Sequence, residues 1–246
     1  MNAEDLLRQI HGRPDDIPRH VGVILDGNRR WAKQNKLALL KGYEVGAQRA
    51  DDLCRWAMAA DIHMLSLWTW STENFNRPED QVKGMMDLFR FYLKRYLNSS
   101  FLADHEIRFR IVGKVEMMPA DIQQMAHELE EKTRHFDRMI LNGCMAYGGR
   151  QEVVDAVSRI VARAAAGELA ETDVTFDLLN AHMYYDDLNA DLIIRTGGDR
   201  RTSGFLLWHT DYSEWYFSEK LFPDLTQEDF LTAVRDFQQR ERRFGK

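Results

Sequence analysis

The chain has 246 residues, 44% of them hydrophobic, and its 39 Asp and Glu outnumber 33 Lys and Arg, for a net charge of −6. This is enough apolar material for one sizeable core, so a single domain over 1–246 is expected, and the acidic balance excludes the basic footprint of a nucleic-acid binder: any anion site is local. No apolar run approaches the roughly 18 residues that span a bilayer, and Cys54 and Cys144 lie far apart without His or Cys at metal-ligand spacing, which favours buried thiols in a reducing cytoplasm over a disulfide frame or zinc site.

Residues 1–17 carry acids and lack a signal peptide's apolar core, and read as a flexible lead. Strand-like runs follow at "HVGVIL" (20–25), "HMLSLWTW" (63–70), "IRFRIVG" (107–113), "RMILNGCMAY" (138–147) and "ADLIIRTG" (190–197). Helical stretches are predicted at 28–38, 44–60, 79–97, 119–134, 150–167 and 175–183, with a connection at 163–175 as the most flexible part. Such alternation predicts an α/β domain with a mostly parallel central sheet flanked by helices.

Ligands of an open parallel sheet bind beyond the carboxyl ends of its strands. Asp26 follows the first strand, and Ser71, Glu73, Asn74, Asn76 and Arg77 follow the second. "AYGGR" follows the fourth, and Arg195, Arg200, Arg201 and Ser203 follow the fifth. All fall on one rim.

In "DGNRRWA", Gly27 suits a tight turn, Asn28 an N-cap, and Arg29 and Arg30 the first helical turn, which together make an anion site. Asp26 would repel a phosphate there unless a cation lay between them, and Mg²⁺ takes one or two carboxylates plus substrate phosphates. The alternative is that Asp26 caps the helix and the arginines pair with surface acids. In "RTGGDRRTSGFLLW", three arginines and nearby hydroxyls suit a diphosphate, or else a loop salt-bridged to Asp199 or Asp191. Along 79–97, Val82, Met85, Met86, Phe89, Leu93 and Tyr96 share a face that Leu88, Phe91 and Tyr92 widen. That face suits core packing, a dimer contact or an adaptable hydrocarbon cleft.

With "DGNRRWA", "STENFNRP", "AYGGRQE", "RTGGDRRTSGFLLW", "YSEWYF" and "LFPD" in this order and spacing, the chain resembles the cis-prenyltransferases, the family of undecaprenyl diphosphate synthases, over nearly its whole length. The resemblance implies the cis-prenyltransferase fold, with a hydrophobic cleft beside the sheet, rather than the all-α trans-prenyltransferase fold. It implies condensation of an allylic prenyl diphosphate with isopentenyl diphosphate, in a Mg²⁺-dependent homodimer, to give a Z double bond. By the same resemblance Asp26 and Asn74 are catalytic, and Asp26 and Glu214 lie at the metal. Gly27, Asn28, Arg29, Arg30 and Trp31 belong to the loop that holds the allylic head. Ser71, Thr72, Glu73, Phe75 and Arg77 belong with Asn74 to a mobile segment that closes over the site, in which Ser71, Asn74 and Arg77 align the homoallylic substrate, and Arg195, Arg201 and Ser203 hold the isopentenyl diphosphate. Trp68, Trp70, Met85, Met86 and Phe89 line the cleft. The region around Glu214 and the final "RERRFG", with Arg242 and Arg243, lies near a partner's site; a long product would add peripheral membrane contact.

The departures from the family pattern concern the substrate. Leu39 and Tyr43, in "LALLKGYEVG", stand where the family carries an Arg and a His, with Lys36 and Lys41 as candidate replacements. Ser203 is followed by Gly204 rather than Asn, Trp68 and Trp70 enlarge a Tyr and Phe pair, and Phe75 replaces a Trp. These changes leave open a short or irregular product, condensation of two dimethylallyl diphosphates, or a noncatalytic prenyl diphosphate-binding subunit. A Mg²⁺-dependent phosphohydrolase lacks a convincing base: Glu73 and His20 are poor candidates, and His20 is expected to pack at the start of its strand.

Overall fold

The computed structural model describes residues 1–240. Its centre is one six-stranded sheet, with β1 (His20–Ile24), β2 (Met64–Trp68), β3 (Ile107–Val112), β4 (Met139–Cys144), β5 (Leu192–Arg195) and β6 (Glu214–Phe217) in the order β3-β4-β2-β1-β5-β6. Every pairing is parallel. The strands of the interior read as unbroken apolar runs because both faces are covered, as parallel sheets require. The edge strand β6 is short and half-buried, which is why its aromatic residues gave no strand signal of the usual kind.

The helices are α1 (Ala3–His11), α2 (Asn28–Gln34), α3 (Leu39–Ala59), α4 (Glu79–Leu97), α5 (Phe101–Asp104), α6 (Ala120–Thr133), α7 (Gly149–Ala165), α8 (Phe176–Asn180) and α9 (Gln227–Gln238). The lead expected to be flexible contains α1. Asn2 caps it by accepting from the Asp5 amide, Leu6 and Ile10 are buried, and Gln238 of α9 donates to the carbonyls of Ile10 and Arg13. Two apolar residues four apart form a stripe too narrow to stand out in the sequence, yet wide enough to dock on α9.

The helix predicted at 28–38 ends at Gln34, and the one predicted at 44–60 begins at Leu39. The break is at Lys36, whose φ of 57° lies in the left-handed region; no Gly or Pro signals it there. Helices α2 and α3 then cross closely: a Cβ on Gly42 would stand 2.2 Å from the Asn28 carbonyl oxygen. This close approach carries Leu39 and Tyr43 toward the sheet rim.

Cys54 and Cys144 are free and buried, as expected. On one sheet face a polar chain runs across four strands. Arg110 Nε donates to Asn142 Oδ1 at 2.9 Å, Asn142 Nδ2 donates to Ser66 Oγ at 2.9 Å, and His20 Nε2 lies 2.8 Å from Ser66 Oγ. His20 Nδ1 lies 3.2 Å from the Asn189 carbonyl, so the ring donates there and accepts from Ser66 as a neutral imidazole. A satisfied buried network of this kind fixes strand register, because any slip orphans its members.

Burial lowers the His20 pKa from 6.5 to about 4, outweighing the Asn189 hydrogen bond and Asp191 that favour its charged form. Since the unfolded chain binds this proton first, folding loses stability as pH falls from 6.5 to about 4, by up to about 3 kcal/mol for this group. Denaturant unfolding of His20→Gln is therefore expected to show a shallower acid loss than the parent over that window. Parallel pH profiles would contradict the assignment.

Candidate active site

A cavity of about 950 Å³ opens where β1, β2 and β5 end, with α2, α3 and α4 as its other walls. At the end of β1 the chain turns through Gly27, whose φ is 114° and whose missing Cβ would meet Leu221 Cα at 2.9 Å. The Asp26 carbonyl accepts from Thr196 Oγ1 at 2.7 Å and from the Phe222 amide at 3.0 Å, which anchors this turn to the end of β5.

The Asp26 carboxylate points into a cluster of guanidiniums. Arg195 Nη2 donates to Oδ2 at 2.9 Å and Arg30 Nη2 to Oδ1 at 3.2 Å. Gly27, not Asp26, stands at the N-cap of α2, and Asp26 binds cations rather than helix amides. Arg195, almost wholly buried, also donates from Nη1 to Ser203 Oγ at 2.9 Å. Asp199 takes both Nη groups of Arg201, at 3.0 and 3.1 Å, and lies 3.4 Å from Arg30 Nη2. Desolvation works against its charge, but Arg201, with Arg30 and Arg195, holds the Asp199 carboxyl below the usual range. The second cationic cluster is thus both a salt-bridged loop and part of the cavity wall.

Arg29, Lys33 and Arg77 also line the cavity and have no carboxylate partner among the described residues. Arg77 Nη1 donates instead to the Tyr43 hydroxyl at 2.7 Å, and its guanidinium lies over the Trp70 ring at 5.1 Å. Ser71 and Asn74 line the same space. Arg195 Nε and Trp70 Nε1, on two lining residues, are buried donors without a hydrogen-bond partner. Below the polar rim the wall is apolar, formed by Met85, Leu88, Phe89 and Leu93 of α4 with Phe109, Leu141 and Met145 from the sheet side. Trp68 narrows one flank, stacked on Phe205 at 5.1 Å, and Trp70 packs edge-on against Phe75 and Phe89.

The cavity therefore gathers Asp26, Gly27, Asn28, Arg29, Arg30, Trp68, Trp70, Ser71, Asn74, Arg77, Met85, Phe89, Arg195, Arg201 and Ser203 from the residues singled out in the sequence. It does not gather all of them. Trp31 turns away and donates to Asp224 at 2.7 Å; Phe75 stands behind Trp70; Met86 is buried in the core; Thr72 and Glu73 are not part of the lining. Arg200 lies outside, 3.6 Å from Glu219. In "AYGGR", Tyr147 is a core residue whose hydroxyl meets the buried Glu152 at 2.5 Å.

Within one chain Glu214 lies away from Asp26. It begins β6, at the opposite end of the sheet from the carboxyl rim, and accepts from Arg240 Nη1 at 2.6 Å. The second carboxylate at the cavity is Asp199, four residues past Arg195 and read from the sequence only as a salt-bridge partner. The lysines expected to compensate for Leu39 and Tyr43 also lie elsewhere: Lys41 pairs with Glu44 at 2.8 Å, and neither it nor Lys36 lines the cavity. Lys33 does, one helical turn past Arg29, a spacing that could have revealed it. Arg242 and Arg243 fall outside the described residues.

Among the described residues no three His, Cys, Asp or Glu side chains gather as a metal cage. A Mg²⁺ ion shared with substrate phosphates needs only one or two carboxylates, and Asp26, with Asp199 on the same wall, fits that requirement. No helix among the described residues is long and apolar enough to cross a membrane.

The family model for undecaprenyl diphosphate synthase matches residues 24–245. The chain is 42% identical to an isoprenyl transferase of Thermotoga maritima, over 93% of this chain and 97% of that protein. It is 38% identical to the geranylgeranyl-diphosphate-specific tritrans,polycis-undecaprenyl-diphosphate synthase of Methanocaldococcus jannaschii, over 94% and 84%. Among solved structures, lavandulyl diphosphate synthase of Lavandula x intermedia, in complex with dimethylallyl diphosphate, superposes with a TM-score of 0.90 at 29% identity, covering 94% of this chain and all of that one. With the strand-end cavity, these matches identify a prenyl-transferring enzyme: the chain belongs to the cis-prenyltransferases, the family of undecaprenyl diphosphate synthases.

Proposed function

We propose that this enzyme transfers the prenyl group of an allylic diphosphate to isopentenyl diphosphate, forming a Z-prenyl diphosphate. The observation that supports this most is the charge of the cavity. Six cations, Arg29, Arg30, Lys33, Arg77, Arg195 and Arg201, stand against two carboxylates, Asp26 and Asp199, above an apolar chamber. That surplus suits two diphosphate heads, and the chamber suits their hydrocarbon tails.

In this reading Arg29, Lys33 and Arg77 take up the charge that develops on the departing diphosphate as the allylic C–O bond breaks. Arg195, Arg201 and Ser203 hold the head of the second substrate so that its alkene faces the allylic carbon, the new C–C bond forms, and a proton is lost from the second substrate. Ser71 and Asn74 provide neutral hydrogen-bonding groups at the rim, and the aromatic and methionine wall keeps water from the electron-poor carbon. Bound Mg²⁺ would supply positive charge to the leaving diphosphate, with Asp26 as its protein ligand.

Condensation of two dimethylallyl diphosphates is a second reading. It is favoured by Leu39 and Tyr43, which line the cavity in place of an Arg and a His, and by the fold match to lavandulyl diphosphate synthase. Incubating the protein and Mg²⁺ with isopentenyl diphosphate and allylic primers of graded length, and with dimethylallyl diphosphate alone, separates the two by mass spectrometry of the product. A product from mixed substrates supports the first; one from dimethylallyl diphosphate alone supports the second; none from any pairing overturns both. Asp26→Ala is expected to lower turnover by at least about 100-fold while prenyl diphosphate still binds. Undiminished turnover would contradict the role given to Asp26.

A cytoplasmic homodimer belongs to the same proposal. The dimer is supported by an apolar strip on α7, where Val154, Val157 and Val161 are exposed. Sedimentation velocity is expected to give twice the chain mass. A single-chain mass at micromolar concentration would refute it.

A further inference from the structure

One cavity cation differs from the rest in how it is held. Arg77 follows the short turn Thr72–Asn76, and two side chains from other elements fix its guanidinium: Tyr43 from α3 accepts from Nη1 at 2.7 Å, and Trp70, just past β2, lies under the guanidinium at 5.1 Å. All three residues line the cavity. By contrast, Arg30, Arg195 and Arg201 are held by carboxylates, which fix their geometry and cancel part of their charge. A phenol fixes geometry without cancelling charge. It also occupies one of the five N–H donors of a guanidinium and leaves the others for an anion.

We propose that Tyr43 is a positioning residue: with Trp70 it holds Arg77 as a preorganised donor for the diphosphate head of the allylic substrate. This rests on reading the cavity as a prenyl diphosphate site. An arginine free to rotate loses rotamer entropy on gripping an anion, whereas one already bridged to α3 and covered by an indole loses less. The residue that departs from the family pattern would then act through Arg77 rather than touch the phosphate itself. Its effect falls on substrate binding more than on the bond-breaking step.

The test uses Tyr43→Phe, Arg77→Ala and their double variant in the full chain, with melting curves to confirm folding. Inorganic diphosphate with Mg²⁺, titrated by calorimetry, reports the anion site without turnover. Steady-state kinetics with an allylic primer report KM and kcat separately. Tyr43→Phe is expected to weaken diphosphate binding by about 3–10-fold, the effect of one lost hydrogen bond, and to raise the allylic KM more than it lowers kcat. In the Arg77→Ala background the same change is expected to add nothing. Equal effects of Tyr43→Phe with and without Arg77, or undiminished diphosphate affinity, would overturn the proposal. If the parent protein turns over no substrate pair, the prenyl-transfer reading fails on its own, and the diphosphate titrations still decide whether Tyr43 acts through Arg77.

Discussion

The contact on which this architecture turns is the Asp26 carboxylate between Arg30 and Arg195. It ties the first turn of α2 to the end of β5 and so brings cations of both elements to one cavity. Asp26 can hold two guanidiniums but cannot neutralise the rim, where Arg29, Lys33 and Arg77 stand without a carboxylate partner among the described residues. Like charges gathered at the mouth of an apolar chamber repel one another until an anion arrives. Fold stability and ligand affinity therefore pull in opposite directions here, as they commonly do at functional sites.

The parallel sheet makes this arrangement possible. All six strands point the same way, so their carboxyl ends deliver Asp26, the segment after Trp68 and Arg195 to one edge. The other edge carries Glu214, which binds Arg240 instead of the cavity. Below the rim the α4 face settles an ambiguity that periodicity leaves open: Met85, Leu88, Phe89 and Leu93 line the chamber while Met86 packs in the core. One apolar stripe serves as both core and cleft because the cavity penetrates between α4 and the sheet.

Much of this was legible from residue order. Five strands announced themselves as apolar runs, and the polar residues after the first, second and fifth meet where an open parallel sheet puts its ligands. What escaped depends on tertiary context. The α2–α3 break is a left-handed Lys36 with no Gly or Pro to mark it, so Tyr43 fell between the two predicted helices and could be placed neither in α3 nor against Arg77. The α1 helix docks through only two apolar side chains, and β6 is a half-buried edge. Asp199 looked like a loop acid because its sequence neighbours are arginines; only the fold shows that Arg30 of another element reaches it too. Glu214 was placed at the metal by resemblance alone; within one chain it starts β6 and pairs with Arg240, away from Asp26.

The central claim is that one chain's cavity holds two diphosphate heads at once, one on Arg29, Lys33 and Arg77 and the other on Arg195, Arg201 and Ser203. The most direct measurement is the stoichiometry of binding, with Mg²⁺ present, of a prenyl thiolodiphosphate whose carbon–sulfur bond resists ionisation, together with isopentenyl diphosphate. The account predicts one of each ligand per chain, with Arg77→Ala weakening the thiolodiphosphate and Arg201→Ala weakening isopentenyl diphosphate. Competition between the two for a single site would contradict it.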